Sequence, residues 1–269
     1  MTSTRLHISH QTHYRFDRPV SYALQRLKLR PKDNAGQSVI DWAINIDGGQ
    51  VQSECDDAHL NHVTLVSVDP GQTEVAIHCA GIVATENSDG IIGRHRGLIP
   101  LWCFLRPTRL TTAGKAVSRL LGGFKIDQSN QLAGVHQLAD IVRNQIPYEE
   151  GHTASNTTAE QAVGIGRGVC QDHAHIFLAA ARHLGVPARY VSGYLLIDGI
   201  VDQSASHAWV EAHIEPLGWV GFDISNGISP DQRYIRVATG FDYQDAAPIT
   251  GLSFGAQDES MVVSLRVEQ

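Results

Sequence analysis

The stretch Gly168-Val-Cys-Gln-Asp-His-Ala-His-Ile-Phe-Leu-Ala-Ala-Ala-Arg-His-Leu-Gly185 decides the fold. Apolar side chains recur at intervals of three and four residues, and Gly185 and Pro187 stop the pattern, so it predicts an amphipathic helix that begins at Cys170. A thiol in the first turn lies beside free backbone N–H groups and the positive end of the helix dipole. Both favour a thiolate, and the same amides can donate to an oxyanion. The sequence therefore predicts that Cys170 is a nucleophile.

Three glycines precede this helix, at positions 164, 166 and 168. Because glycine has no Cβ, we expect them to let a substrate backbone approach the thiol closely. The segment does not match the GxGxxG or Walker phosphate-binding patterns.

A strand pattern follows in Ser206-His-Ala-Trp-Val-Glu-Ala-His213, and Gly221-Phe-Asp223 comes after it. Alternation places His207, Trp209, Glu211 and His213 on one strand face and apolar residues on the other. A five-residue hairpin loop over 213–217 would set His207 opposite Asp223. A tighter loop over 216–218 would set Glu211 there, a like-charge pair that is unfavourable. We therefore expect the wider loop.

These segments supply a thiol, an imidazole and a carboxylate in chain order. Nucleophilic thiol chemistry needs all three: Cys170 attacks, His207 transfers protons, and Asp223 orients the imidazole. Each also has a purely structural alternative. Cys170 could be a small buried side chain, His207 one of 14 histidines with no special role, and Asp223 a cap for the turn into Asn226-Gly227. Cys55, Cys79 and Cys103 lack CxxC spacing, so we expect free structural thiols.

The rest of the chain predicts an α+β protein. Residues 1–90 carry period-two patterns separated by Gly and Asp turns, which predicts an antiparallel, sandwich-like β module. Residues 91–269 form the predicted core, with helices over 109–185 and antiparallel strands over 188–269. In this core, the helix that begins with Cys170 would pack on the sheet that carries His207 and Asp223.

Composition limits the partners. Hydrophobic residues make up 42% and charged residues 18% of the chain, and the net charge is −7, so nucleic acid and anionic membranes are poor partners. The first 20 residues contain no uninterrupted apolar segment, so we expect neither a signal peptide nor a membrane span, and a cytoplasmic location. No signal for oligomeric state is present.

No metal or cofactor is predicted. Asp172, His173 and His175 lie near Cys170, but positions 173 and 175 point to different faces of a helix, so a shared ion is disfavoured. An Asp-rich calcium loop is also absent from the sequence.

Longer runs of sequence resemble a known family. GVCQDHAHIFLAAARHLGVPARYVSGYLL, SHAWVEAHI and GWVGFDISNG resemble the core of the bacterial transglutaminase-like superfamily of cysteine proteins, and THYRFDRPVSYALQRLKLRP and TGFDYQDAAPITGLSFG resemble its N-terminal region and closing segment. The resemblance implies a papain-related core in which Cys170 is the nucleophile, His207 the base and acid, and Asp223 the orienting carboxylate. Gln171 departs from the basic residue expected in many relatives.

Three functions remain open. The first is a hydrolase that cleaves peptide or side-chain amides of a peptide or protein substrate through a thioester. The second is a transferase in which an amine intercepts the same thioester, and the third is a binding module without catalysis. A water-excluding pocket would favour transfer and an open groove hydrolysis. The second oxyanion donor is not assigned.

Overall fold

The computed structural model describes residues 3–269, in which five α-helices and 14 strands form. The strands are β1 (Thr4–Phe16), β2 (Tyr22–Leu27), β3 (Gln37–Asp47), β4 (Gly49–Asp56), β5 (His62–Val68), β6 (Glu74–Thr85), β7 (Ile91–Gly93), β8 (Ala188–Leu195), β9 (Asp202–Gln203), β10 (His207–Ile214), β11 (Gly218–Phe222), β12 (Tyr234–Gly240), β13 (Ile249–Phe254) and β14 (Glu259–Glu268). The helices are α1 (Lys115–Leu121), α2 (Gln131–Gln145), α3 (Ala159–Ile165), α4 (Cys170–His183) and α5 (Tyr243–Ala246). Helices and antiparallel sheets thus share one chain, which confirms the predicted α+β class.

The N-terminal module is a sandwich of two antiparallel sheets, with strand orders β3-β6-β1-β14-β9 and β13-β2-β5-β4. Alternation along β1 buries every second side chain, so that Tyr14 and Phe16 point between the sheets. They pack there against Val66 of β5 and Ile77 of β6. This shared core is the physical reason for the predicted sandwich, because each sheet has only one apolar face to cover.

The second half of the molecule is built on a third sheet, with strand order β12-β8-β10-β11-β7. One face of β10, formed by Ala208, Val210, Ala212 and Ile214, packs in the same core as α4. Helices α1, α2 and α3 cover the other sides of α4, so its residues from 172 to 182 are all buried. The nucleophile helix therefore lies at the centre of this half, although its sequence pattern predicts burial of one face only.

The buried Arg182 side chain of α4 finds its hydrogen-bond partners inside the core. Arg182 donates to the carbonyl oxygens of Ala188 and Phe241 at 2.9 and 2.6 Å and to the hydroxyl of Thr111 at 2.6 Å. A buried guanidinium with this many acceptors is tolerated, since its desolvation is offset by charge-assisted hydrogen bonds.

The closing strands return to the N-terminal module. β13 pairs with β2, and β14 pairs with β1 along ten residue pairs from His7–Glu268 to Phe16–Glu259. The pattern of these residues predicts strands of the core, within residues 188–269, because alternation along a strand does not reveal its pairing partner. In the structure they complete the two sheets of the sandwich.

Side-chain amides join the two halves at the edge of β12. Gln37 exchanges hydrogen bonds with the backbone of Arg236, donating at 2.9 Å and accepting at 2.8 Å. Asn61 does the same with the backbone of Thr239, at 2.8 Å in both directions. Each amide thus takes the place of a neighbouring strand residue, which leaves these edge groups of β12 satisfied.

Candidate active site

Helix α4 begins at Cys170, as predicted, and Asp172 fixes its first turn. The Asp172 Oδ2 atom accepts hydrogen bonds from the Val169 backbone N–H at 2.9 Å and from the Thr153 hydroxyl at 2.6 Å. This carboxylate satisfies the N-cap amide and favours the start of the helix at the cysteine. Cys170 itself is half-buried and packs against the core.

The glycine at 168 has a different role from the one expected. A Cβ at Gly168 would lie 2.7 Å from the Asp172 side chain, so the missing side chain gives the capping carboxylate its space. Gly166 ends α3 with φ at 77°, a conformation that favours glycine. Of the three glycines before α4, Gly164 and Gly166 border open space where a substrate backbone could lie.

The predicted register of the β10–β11 hairpin is wrong. The loop contains three residues, 215–217, and the pairs run from Ile214–Gly218 to Val210–Phe222. Gly218, which pairs with Ile214 directly after the loop, has φ at 85°, a conformation that favours glycine. Glu211 therefore lies opposite Gly221.

His207 nevertheless meets Asp223, as a diagonal neighbour rather than a directly opposite one. The His207 Nε2 atom lies 2.6 Å from Asp223 Oδ2. The two residues share one face of the sheet in either register, and a diagonal pair is within reach of an imidazole ring. The charge of Glu211 is compensated by Arg189 and Arg236, which both contact its carboxylate.

Asp223 is almost fully buried, and its carboxylate is held by more than the histidine. Oδ2 also accepts from the Tyr234 hydroxyl at 2.7 Å and from the Asn226 side-chain amide at 2.7 Å. Oδ1 accepts from the Asn226 backbone N–H at 3.1 Å. The turn-capping role and the histidine-binding role of Asp223 thus coexist. Burial alone would raise the pKa of Asp223, but these donors and the charge of His207 hold it below its ordinary value.

Tyr234 is a site residue that the sequence analysis missed. It lies on β12, and its ring packs edge-on against Trp209 with centroids 5.4 Å apart. Trp209 in turn stacks on His207 at 6.2 Å. Nothing in the local pattern around Tyr234 indicates this position, because it arises from the pairing of β12 with β8.

The imidazole of His207 lies between Asp223 and Cys170. Burial disfavours its charged form, but hydrogen bonds to Asp223 and Cys170 and the negative charges of both raise the pKa of His207 to about 10. Since Nε2 is engaged by Asp223, Nδ1 is the nitrogen available to the thiol. The structure therefore brings together all three residues singled out from the sequence, and their catalytic roles stay predictions.

The histidines on α4 face different surroundings. His173 Nε2 lies 2.8 Å from the carbonyl oxygen of Ile146, and its Nδ1 lies 2.8 Å from the Ser225 hydroxyl. Burial lowers the pKa of His173, so it is a neutral donor and acceptor there. His175 accepts instead from the backbone of Tyr243. Within residues 3–269, no group of three or more His, Cys, Asp or Glu side chains is arranged to hold a metal ion.

The other cysteines lie apart from this constellation and are free thiols, as Cys170 is. Cys79 is fully buried in the sandwich, and burial raises the pKa of its thiol to about 12. Cys55 is exposed on β4 and Cys103 is half-buried.

A cleft of about 660 Å³ opens beside the imidazole. It is bordered by side chains from the end of β8, from the segment after Asp223, from β12 and from the loop before α3. They are Tyr148, Leu195, Leu196, Ile197, Asp198, His207, Ser225, Asn226, Ile228, Arg233 and Tyr234. Tyr148 is held next to the nucleophile loop by a parallel bridge to Gly168. A molecule in this cleft would therefore contact the imidazole of His207.

Comparisons with known proteins agree with this architecture. The profile of the transglutaminase-like superfamily matches residues 122–224, and that of the bacterial transglutaminase-like N-terminal region matches residues 6–84. The fold and the site are those of a cysteine-dependent enzyme. The chain belongs to the transglutaminase-like superfamily, with the N-terminal region of its bacterial members, which confirms the resemblance stated above.

Individual relatives match along the whole length. A candidate cysteine protease from Cytophaga hutchinsonii has the same fold, with a TM-score of 0.80 at 21% identity, and the match covers 100% of this chain and 91% of that one. An uncharacterized protein of Mycobacterium leprae is 28% identical over 97% of this chain and 98% of its own length. A second one, from Mycobacterium tuberculosis, is 26% identical over 96% of this chain and 90% of its own.

Within residues 3–269, every helix falls short of the length and apolar character needed to span a bilayer.

Proposed function

We propose that this protein is a cysteine-dependent acyl-transfer enzyme that hydrolyses peptide or side-chain amides through a thioester. One observation carries the proposal: Asp223 holds the Nε2 atom of His207 at 2.6 Å, and Cys170 lies near enough to help raise the pKa of the same imidazole. In this arrangement a buried carboxylate orients an imidazole, and the imidazole exchanges a proton with the thiol.

The proposed reaction has two halves. The Cys170 sulfur, which has given its proton to His207, attacks the amide carbonyl, and backbone N–H groups of the first turn of α4 stabilise the oxyanion. His207 then gives its proton to the leaving amine as the C–N bond breaks, which leaves a thioester. In the second half water attacks the thioester, His207 takes a proton from it, and the acid departs as the C–S bond breaks.

The surface position of the cleft supports hydrolysis over transfer. At its border Tyr148 is 52% exposed and Ile228 38% exposed, so water has access to the cleft beside His207. A transferase needs to keep water away while an amine enters. Transfer to an amine remains the alternative. A binding module without catalysis is disfavoured, because binding alone has no use for Cys170, His207 and Asp223 together.

Mass spectrometry of a peptide library in water enriched in ¹⁸O tests the proposal, with and without a labelled primary amine. We expect cleavage or deamidation products that carry one ¹⁸O atom, which would identify hydrolysis, whereas incorporated amine would identify transfer. Cys170→Ala should lose turnover by roughly 10³-fold or more, and Cys55→Ala is the matched control at an exposed cysteine. Unchanged turnover in Cys170→Ala would refute the mechanism.

The substrate is proposed to be a peptide or protein amide, and the cytoplasmic location expected from the sequence stays a prediction. Fractionation of cells that produce the untagged chain would test the location.

A further inference from the structure

The cleft beside His207 has a predominantly apolar wall. Leu195, Leu196 and Ile197 form it at the end of β8, and Tyr148 and Ile228 border it as well. Ile197 is 37% exposed and Ile228 38% exposed, so water covers apolar surface close to the reacting groups. Burial of one large apolar substrate side chain against such a wall should strengthen binding at least about tenfold.

The far end of the same cleft is acidic. Arg233 there forms a two-pronged pair with Asp231, with its Nε 3.0 Å from Oδ1 and its Nη2 2.7 Å from Oδ2. Its charge is therefore compensated within the protein. Asp198 lies on the turn after β8 and is exposed.

A second cavity of about 430 Å³ continues from this end and shares Leu196, Asp198 and Arg233 with the cleft. Asp231 also borders it. Two carboxylates thus face one guanidinium along the path that leads away from His207. A cation is favoured there and an anion repelled, although exposure to solvent keeps the effect modest.

We propose that the cleft selects a peptide with a large apolar side chain next to the reacting carbonyl and a basic side chain further along, towards Asp198. This inference rests on the proposed function, since it assigns a substrate class to the same site. The apolar wall supplies most of the selectivity, and Asp198 adds a smaller preference for positive charge.

Binding to the Cys170→Ala protein tests the preference separately from the chemistry. Fluorescence anisotropy would compare a labelled peptide that carries Leu and Lys with two matched peptides, one with Asp in place of Leu and one with Glu in place of Lys. We expect binding to weaken at least about tenfold for the first change and about threefold for the second.

Two cleft variants and one control variant locate the effect. Ile228→Asp should remove the preference for Leu over Asp, whereas Ile40→Asp, at a similarly exposed isoleucine in the N-terminal module, should keep it. Asp198→Asn should remove the preference for Lys over Glu. Thermal unfolding would establish that all three variants are folded.

The outcomes separate the two proposals. Equal binding of the three peptides, or equal behaviour of Ile228→Asp and Ile40→Asp, would overturn the substrate assignment even if Cys170 forms an acyl-enzyme. If the three peptides bind with the expected ranking of affinities but Cys170 of the wild-type protein is not acylated, the catalytic proposal is overturned while the selectivity of the cleft is supported.

Discussion

Asp223 accepts side-chain hydrogen bonds from His207, Asn226 and Tyr234 on a single carboxylate oxygen. A buried carboxylate needs such donors, because an unpaired charge in the protein interior is costly. The donors fix the position of the oxygen that holds the imidazole. At the scale of residues, the geometry of the candidate site therefore depends on groups that do not take part in proton transfer themselves.

Tyr234→Phe tests this dependence. Loss of the 2.7 Å hydrogen bond should destabilise the protein by about 1.5–3 kcal/mol, because the acceptor is charged and buried. The pKa of Asp223 should rise, and kcat should fall more than KM changes, since the tyrosine positions the carboxylate. Urea unfolding and steady-state kinetics are the measurements, with the exposed Tyr22→Phe as the control. Equal behaviour of the two variants would contradict the positioning role.

The titration of His207 gives a second prediction. With a folded-state pKa raised to about 10, its imidazolium stabilises the fold fully below its unfolded pKa, and this contribution is lost as the pH rises through about 10. NMR of the ring protons should show His207 charged at neutral pH. Cys170→Ala should lower the pKa of His207, because the cysteine contributes to the shift. A neutral His207 at pH 7 in the wild-type protein would contradict this account.

Most of the candidate site follows from local sequence. Cys170 was predicted from the start of a helix, and the shared face of His207 and Asp223 from strand alternation, because both depend on neighbouring residues alone. Tyr234 could not be predicted, since its contact with Asp223 requires the pairing of β12 with β8. The limit lies in strand order, which the alternation of side chains does not encode.

At the scale of elements, the start of α4 depends on the fit between Gly168 and Asp172. Asp172→Ala removes the cap and should cost about 1–2 kcal/mol. Gly168→Ala places a methyl group 2.7 Å from the Asp172 side chain and should cost about 1–3 kcal/mol through overpacking. The double variant should cost less than the sum of the two, because the carboxylate that clashes is absent. Urea unfolding of the wild type, the two single variants and the double variant gives the four free energies of unfolding for a double-mutant cycle. If the two single losses add up to the loss in the double variant, the two positions are independent and the proposed fit is contradicted.

The β10–β11 hairpin shows what an element's sequence leaves open. Its strands and their buried faces were predicted, but the register was not, because loop length could not be read from the sequence around Pro216. With a loop of three residues, Trp219 pairs with His213 across the two strands. His207 and Asp223 then become diagonal neighbours. The sequence thus predicts the face on which a side chain lies more reliably than it predicts the register, because a shift of two residues leaves every side chain on the same face of the sheet.

At the scale of the whole molecule, the sandwich and the core are interlocked. The strands of residues 249–268 complete the N-terminal sheets, and an apolar cluster that includes Leu6 of β1, Tyr194 of β8 and Ile235 of β12 joins the sandwich to the third sheet. This architecture depends on long-range pairing, so the sequence predicted the class of each half but not how the chain connects them.

Asn61 provides a test of this connection. Its fully buried amide satisfies the N–H and C=O of Thr239 at the edge of β12. Asn61→Ala leaves both backbone groups without this partner and should destabilise the protein by about 1–3 kcal/mol for each group that stays dry, which is about 2–6 kcal/mol for the two. One cooperative unfolding transition should remain, at lower urea concentration. Asn45→Ala, on the outer strand β3, is the control, and a loss no larger than in this control would show that the link to β12 is dispensable.

The central claim is that His207 and the start of α4 activate Cys170, and the rate of thiol alkylation measures it most directly. Mass spectrometry after brief exposure to iodoacetamide at pH 6 would compare Cys170 with the exposed Cys55 of the same molecule. We predict that Cys170 reacts at least about tenfold faster and that His207→Ala abolishes the difference. If Cys170 reacts no faster than Cys55 in the folded wild-type protein, the claim is contradicted.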